Sequence, residues 1–213
     1  MRFPVPRRLT LAFGAACVLA LASGCREQTA AAAEPVIERT DKRILFRGAR
    51  LPEITVPGGE SQRISSLLNV SSPMRFGDYV WEDRDVPDGK LWILVDTGAQ
   101  TIAVFRGGHE IGTAVMLYGA EEKPTPYGQF TITERRKDHW SRTYDAPMPY
   151  MLRLTDDGVA IHGSTVIPGS ATHGCLGVPL DFAKLLFSAA RVGDEVTIMR
   201  DARALATRGT ATS

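Results

Sequence analysis

The 213-residue chain has only three cysteines, and neither Cys-x-x-Cys nor His-x-x-x-His spacing occurs anywhere in it. A disulfide scaffold and a finger-type zinc site therefore lack their usual residues. Excess charge is missing too: 25 Lys and Arg stand against 24 Asp and Glu, for a net +1. The basic residues are dispersed among acids, and no basic cluster has the aromatic interleaving of a phosphate-tracking surface, so nucleic acid is not an expected partner. Apolar runs are short; the 14 residues "LTLAFGAACVLALA" are too few for a stable membrane span. No internal repeat is present. What the chain does have is 20 glycines and 13 prolines, which suit a turn-rich, mainly β protein, and a length that allows one globular domain with extra at the ends.

That apolar run follows "MRFPVPRR", with Arg2, Arg7 and Arg8 and no acid, and leads into "SGC". The order of basic start, short apolar segment and small residues predicts an export signal over residues 1–25. "LASGC" resembles a bacterial lipobox, with Ala22 where that pattern most often has Leu; ordinary cleavage near Ala22 to Gly24 is the alternative. A lipobox implies that Cys25 is acylated and anchors the chain to a membrane. Arg26 after it resembles the outer-membrane case rather than inner-membrane retention. The expected location is the periplasm or cell envelope, outer membrane before inner. Residues 26–40 read as a flexible tether and 202–213 as a fraying tail. Cys17 would then be removed with the signal, leaving Cys175 as the one free thiol.

Residues 41–85 read as an extended lead-in or small β addition, with "SQRISSLLNV" as a short helix capped by Ser61. The main body spans 86–201. "LWILVD" predicts a strand, "TIAVFRGGHEIGTAVML" a hairpin turning at "RGGH" with His109 as a turn residue, and "KPTPYGQFTIT" a further strand. "YMLRLTDDGVAIHG" predicts strand, turn and strand, delivering His162 at a strand end. "VPLDFAKLLFSAARVG" is the clearest helix: Pro179 fits its first turn, Phe182, Leu185, Leu186 and Ala189 share a face, and Gly193 stops it. The resulting fold class is mainly β, a mostly antiparallel sheet domain with one late helix packed on it.

The chemistry concentrates in "IHGSTVIPGSATHGCLG", residues 161–177. A free thiol is mostly protonated at neutral pH, so a catalytic Cys175 needs a neighbouring base or cation. His162 and His173 are the available imidazoles, and the intervening loop permits either to reach it. The other readings are a small buried hydrophobe and a zinc set of two histidines and one thiolate; neither a metal nor a cofactor is expected.

A His-Gly pair after a strand, a short loop, then Ser/Thr-His-Gly-Cys and an apolar residue resembles the active-site motif of the L,D-transpeptidase (YkuD-like) family. Here these are His162-Gly163 and "THGCL", and "TPYGQFTI" is similar to the family's Pro-Thr-Gly lead into a strand. The resemblance covers roughly residues 90–200 and implies a YkuD-like β-sandwich or mixed sheet. It also implies a cysteine acyltransferase acting on peptidoglycan stem peptides. Its thiolate would attack after the third residue of a tetrapeptide stem, often between meso-diaminopimelate and D-Ala. The acyl group would pass to a second stem's amine, to a lipoprotein lysine, or to water. In these terms Cys175 is the nucleophile, His162 the base and Gly163 the carbonyl that orients it, while His173 shapes the pocket or binds substrate. Thr172, with the amides of Gly174 and Cys175, would steady the loop and the oxyanion. Two departures stand out: Gly177 where the family usually has Arg or Asn, and a short loop after His162, which implies a more open cleft.

Tyr118, Tyr127 and Trp140 fall in or near loops that could flank the cleft and contact sugar or stem peptide, or could be partly buried at loop bases. "RRKDH", residues 135–139, is a solvated face or an attraction for stem carboxylates. Asp96 in "VDTGA" imitates an aspartic-protease motif, but that chemistry needs two carboxylates sharing a proton, and only one such motif is present. Asp96 and Gly98 read as turn residues.

Overall fold

The computed structural model describes residues 34–56, 60–120 and 123–202. The expected export signal, Cys25, the first part of the tether and all but the start of the tail lie outside the described residues. The N-terminal part forms β1 (Val36–Arg39), β2 (Arg43–Arg47), β3 (Glu53–Ile54), β4 (Gln62–Arg63), β5 (Ser66–Leu68) and β6 (Tyr79–Trp81). The central part forms β7 (Leu91–Asp96), β8 (Thr101–Arg106), β9 (His109–Val115), β10 (Gly128–Thr131), β11 (Glu134–Arg136), β12 (Trp140–Ser141) and β13 (Ala146–Pro147). Then come β14 (Met151–Arg153), β15 (Ala160–Ser164), β16 (Leu176–Pro179), α1 (Leu180–Ala189) and β17 (Glu195–Met199).

The larger sheet runs β1-β2-β5-β9-β8-β7-β17-β10, with β6 also pairing with β9. A second sheet runs β11-β14-β15-β16. Most pairs are antiparallel, as expected, but β15–β16, β17–β7 and β5–β9 are parallel, so the sheets are mixed. The β8–β9 hairpin turns on Gly107 and Gly108, both at positive φ (56° and 83°), the geometry of a two-residue turn that matches strand twist.

"LWILV" is an unbroken apolar run because β7 is covered on both faces. On one side Ile93 and Val95 share a core with Ile161, Leu176 and Val178 of the second sheet and with Phe182 and Leu186 of α1. On the other, Trp92 stacks on Phe105 with ring centroids 4.2 Å apart, and Ile64, Met199, Phe46 and Leu67 close over them. The lead-in thus covers the outer face of the sheet. Its expected helix is strand instead: Ile64, Ser66 and Leu68 are buried while Ser65 and Leu67 are less so, a period of two that suits β4 and β5. Val36–Arg39, placed in the tether by sequence, pair with β2 as β1.

Helix α1 buries Phe182, Ala183 and Leu186, with Leu185 only half-buried. It ends at Ala189, where Ala190 turns extended; Gly193 lies in the following turn and does not itself stop the helix. No basic residue lies in its last turn. Arg135 of β11 supplies the charge, donating to the Phe187 carbonyl with its guanidinium over the Phe187 ring. Removing the Phe182 ring, which Trp81 meets edge-on at 5.6 Å, would cost about 3–5 kcal/mol.

A buried polar node joins the lead-in to the hairpin. Arg43 donates to the carbonyls of Glu110 (2.7 Å) and Glu82 and to Ser66 Oγ (3.2 Å). Ser66 Oγ also meets His109 Nδ1 at 2.9 Å, so His109, first residue of β9, is a node member rather than only a turn residue. Glu110 accepts from the Leu68 amide at 2.8 Å, and burial pushes its carboxyl up to about 7, against the opposing pulls of that amide and of Arg43. Between the ordinary glutamate value and 7, the folded chain retains a proton that the unfolded chain releases. Stability from this group therefore falls as pH rises through that window, by roughly 3 kcal/mol at most. Glu110→Gln keeps an acceptor for Leu68 and removes the titration. Thermal melts should show the variant more stable than wild type at about pH 8, with the difference shrinking towards about pH 5; a gap independent of pH would contradict the assignment.

Candidate active site

The site forms where β15 and β16 lie side by side. Their parallel register sets His162 opposite Gly177 and Gly163 opposite Val178, and Cys175 immediately precedes β16. His162 lies in the middle of β15 rather than at its end. Its Nδ1 is 3.0 Å from the Gly163 carbonyl oxygen. A carbonyl only accepts, so this contact assigns the ring proton to Nδ1 and leaves the Nε2 lone pair free. The Gly163 amide donates to Pro149 (2.8 Å), and a Cβ at Gly163 would stand 2.8 Å from Leu180 Cδ1, so β15 packs closely against α1 here and a side chain at 163 would have to displace Leu180.

Cys175 is buried against Met148, Met151 and Ala160, with Sγ 3.6 Å from the Gly158 carbonyl oxygen. Among the described residues no hydrogen bond joins Sγ to the His162 ring. Burial pushes the thiol up, outweighing the Ala160 amide and the charge of Lys123, which pull the other way. Burial also pushes His162 down, against its bond to Gly163 and with the charge of His139 adding to the effect. Both shifts favour uncharged forms, so the resting pair is thiol and neutral imidazole rather than thiolate and imidazolium.

The loop that carries the cysteine is tied down from one side. The Thr172 amide donates to Tyr118 O (3.0 Å), its carbonyl accepts from Ala120 (3.1 Å), and its hydroxyl donates to the Cys175 carbonyl. Gly174 has φ +98°, a conformation that L side chains rarely adopt. Thr125, the first residue of "TPYGQFTI", is buried beside it: its hydroxyl donates to Gly174 O (3.0 Å) and accepts from the Gly119 amide (2.9 Å). The sequence hint was the stretch "KPTP" just ahead of the Tyr-Gly turn.

Cys175 opens on a cleft of about 710 Å³. His173 lines it too, exposed and stacked on Tyr144 with ring centroids 4.5 Å apart, while Lys123 donates to the Tyr144 hydroxyl at 2.8 Å. Trp140 and His139 complete that wall. Nothing in the sequence singled out Tyr144 or Lys123, because the β12–β13 hairpin that presents Tyr144 has two-residue strands without a periodic pattern. Tyr127 is not brought to this cleft; it is 58% exposed and accepts from Thr97 Oγ1 at 3.2 Å. Gly177 is buried and exchanges backbone hydrogen bonds with Leu117, and a Cβ there would come within 3.0 Å of Ser164 Cβ. A large side chain at 177 would have to push β15 or Leu117 aside. Asp96 accepts from the Ala99 and Ala202 amides (3.0 and 2.9 Å), the turn role expected of it. Among the described residues no three His, Cys, Asp or Glu side chains converge in a way that would hold a metal ion.

The fold is a mixed β domain with an imidazole and an orienting carbonyl on one strand and a thiol just ahead of its parallel neighbour. Residues 90–198 match the model of the L,D-transpeptidase catalytic domain (YkuD), about half of the chain, and the protein belongs to that family. Among solved structures it is similar to an L,D-transpeptidase from Stackebrandtia nassauensis, with 22% identity over 56% of this chain and 61% of that one and a TM-score of 0.49. It is similar to Mycobacterium tuberculosis L,D-transpeptidase 1, with 26% identity over 51% and 60% and a TM-score of 0.44. An L,D-transpeptidase from Xylanimonas cellulosilytica gives 21% identity over 54% and 62%, with a TM-score of 0.47. The chain spans about three fifths of the length of these relatives. No curated protein sequence matches it.

A raised thiol predicts slow reaction with a small alkylating agent. Iodoacetamide should modify Cys175 more slowly at about pH 7 than it modifies free cysteine, with the rate still climbing at about pH 9. A plateau of fast alkylation at acid pH would instead reveal a preformed thiolate.

Proposed function

We propose that the protein is a peptidoglycan L,D-transpeptidase that forms a thioester between Cys175 and a tetrapeptide stem and transfers it to an amine. The observation that carries this reading is the bond from His162 Nδ1 to the Gly163 carbonyl, on a strand paired in parallel with the one that follows the cysteine. It fixes the one tautomer that leaves Nε2 able to take the thiol proton, and the carbonyl then supports the imidazolium without a carboxylate.

In this reading substrate binding drives Sγ from its rest against Gly158 towards the carbonyl carbon of the third stem residue. As the S–C bond forms, the thiol proton passes to His162 Nε2. The Gly174 and Cys175 amides stabilise the oxyanion. The imidazolium returns the proton to the nitrogen of D-Ala as the C–N bond breaks. A second stem's amine, or a lipoprotein lysine, attacks the thioester; His162 takes its proton and gives it back to Sγ. Arg136 and Arg153 share Glu134, whereas Lys123 and Arg142 line the cleft without a carboxylate partner among the described residues. Their charge suits stem carboxylates, while Asp138, Asp156 and Asp157 suit an amine. The export-like start and the lipobox-like Cys25 support a site of action in the cell envelope, with the chain anchored by lipid.

The test is the 26–213 chain incubated with a diaminopimelate-containing disaccharide tetrapeptide, with intact mass and released products followed together. Expected are loss of D-Ala and a 3→3 linked dimer, abolished by Cys175→Ala and slowed about 10²- to 10⁴-fold by His162→Ala. Tripeptide alone would make the protein a carboxypeptidase. No Cys175-dependent change would overturn the acyl-transfer reading.

A further inference from the structure

Two consecutive carbonyls at the reacting cysteine are held by threonine hydroxyls: Cys175 O by Thr172 and Gly174 O by Thr125. The second is the more revealing, because Gly174 O and the Cys175 N–H belong to one planar peptide and point in opposite directions. Holding the oxygen at Thr125 therefore points the Cys175 amide of the same peptide away from Thr125. Among the described residues neither the Gly174 nor the Cys175 amide donates to a protein group. Amides at a buried loop normally find partners, so a pair left open at a nucleophile fits a ligand oxygen that completes them.

Resting on the acyl-transfer reading above, we propose that Thr125 is the positioning residue of the oxyanion hole. It touches no substrate; it sets the plane of the Gly174–Cys175 peptide. Its own orientation is fixed at both ends. Thr125 is 4% exposed, and its hydroxyl accepts from the Gly119 amide while donating to Gly174, so the proton has one direction. Gly119 lets the two segments approach: a Cβ there would lie 2.3 Å from Lys123 O and 2.7 Å from Gly174 Cα. At φ +98°, Gly174 gives this peptide more backbone freedom than any other residue would, so an external tether is what holds it. Preorganised donors lower the barrier because they need no reorientation as charge develops on the oxygen.

The test separates the oxyanion from the nucleophile. p-Nitrophenyl acetate acetylates a thiol through a tetrahedral oxyanion: the S–C bond forms, the ester C–O bond breaks, p-nitrophenolate leaves and the thiol proton goes to His162. Iodoacetamide reacts at the same sulfur with no oxyanion. Thr125→Val should acetylate about 10- to 100-fold more slowly, with iodoacetamide alkylation within about twofold of wild type. Thr125→Ser should restore acetylation. Should Thr125→Val not fold, Thr125→Ala, which leaves room for a water, should still lose about fivefold or more in acetylation at unchanged alkylation. Wild-type acetylation rates in these variants, or parallel falls in both reactions, would overturn the proposal. Because the ester makes no use of stem-peptide recognition, Cys175-dependent acetylation alongside inert tetrapeptide would sink the substrate assignment alone; a wild-type Cys175 that is never acetylated would overturn both.

Discussion

Parallel pairing of β15 with β16 is the constraint on which the site depends. Two parallel neighbours force the chain to leave one end of a strand and re-enter at the other, a connection that usually takes a dozen residues or more. Here residues 165–175 make that return. So short a crossover has little slack, and it is braced near its end, where Gly119 bridges Thr172, while Leu117 bridges Gly177 just beyond it in β16. The cysteine is thus the last residue of a taut connection, and the histidine lies on the strand that the connection left. The register, with Ile161 opposite Leu176, puts Cys175 and His162 on adjoining chain segments two positions out of step, and topology rather than any attraction sets that placement.

Local electrostatics then set a resting state opposite to that of enzymes with preformed thiolates. Burial acts on both partners, raising the thiol and lowering the imidazole, and the nearby cation and amide are too weak to reverse it. A neutral pair is protected from adventitious electrophiles. In the acyl-transfer reading proposed above, reactivity would depend on a bound substrate that excludes water and offers a carbonyl to the sulfur, which would couple chemistry to recognition.

The strands of the main body were legible because each obeys a simple pattern: the continuous run of β7, the Gly-Gly turn of the β8–β9 hairpin, the apolar face of α1. The Cys-His-Gly set was legible as a local motif. The lead-in was not, because Ser61, Ser65 and Ser66 mask an alternation whose buried members include a serine, paid for by contacts to Arg43 and His109 from distant segments. The role of Thr125, and Tyr144 altogether, were hidden for a related reason. Each matters through a residue 29 or more positions further along the chain, Gly174 for one and His173 for the other, and no periodicity reports such a meeting. Tyr127 attracted notice by its place beside the Pro-Gly turn, yet the start of β10 carries it to Thr97 instead.

The stacked Trp92 and Phe105 on the outer face of β7 bear on what counts as the domain. The stretch that carries the family likeness begins at residue 90, after β1 to β6, but the cover over those rings includes Phe46, Ile54, Ile64 and Leu67. The unit of kinship is therefore smaller than the unit of folding. In this protein, the segment outside the shared catalytic motif is part of the hydrophobic roof without which the central strand would show water an aromatic face.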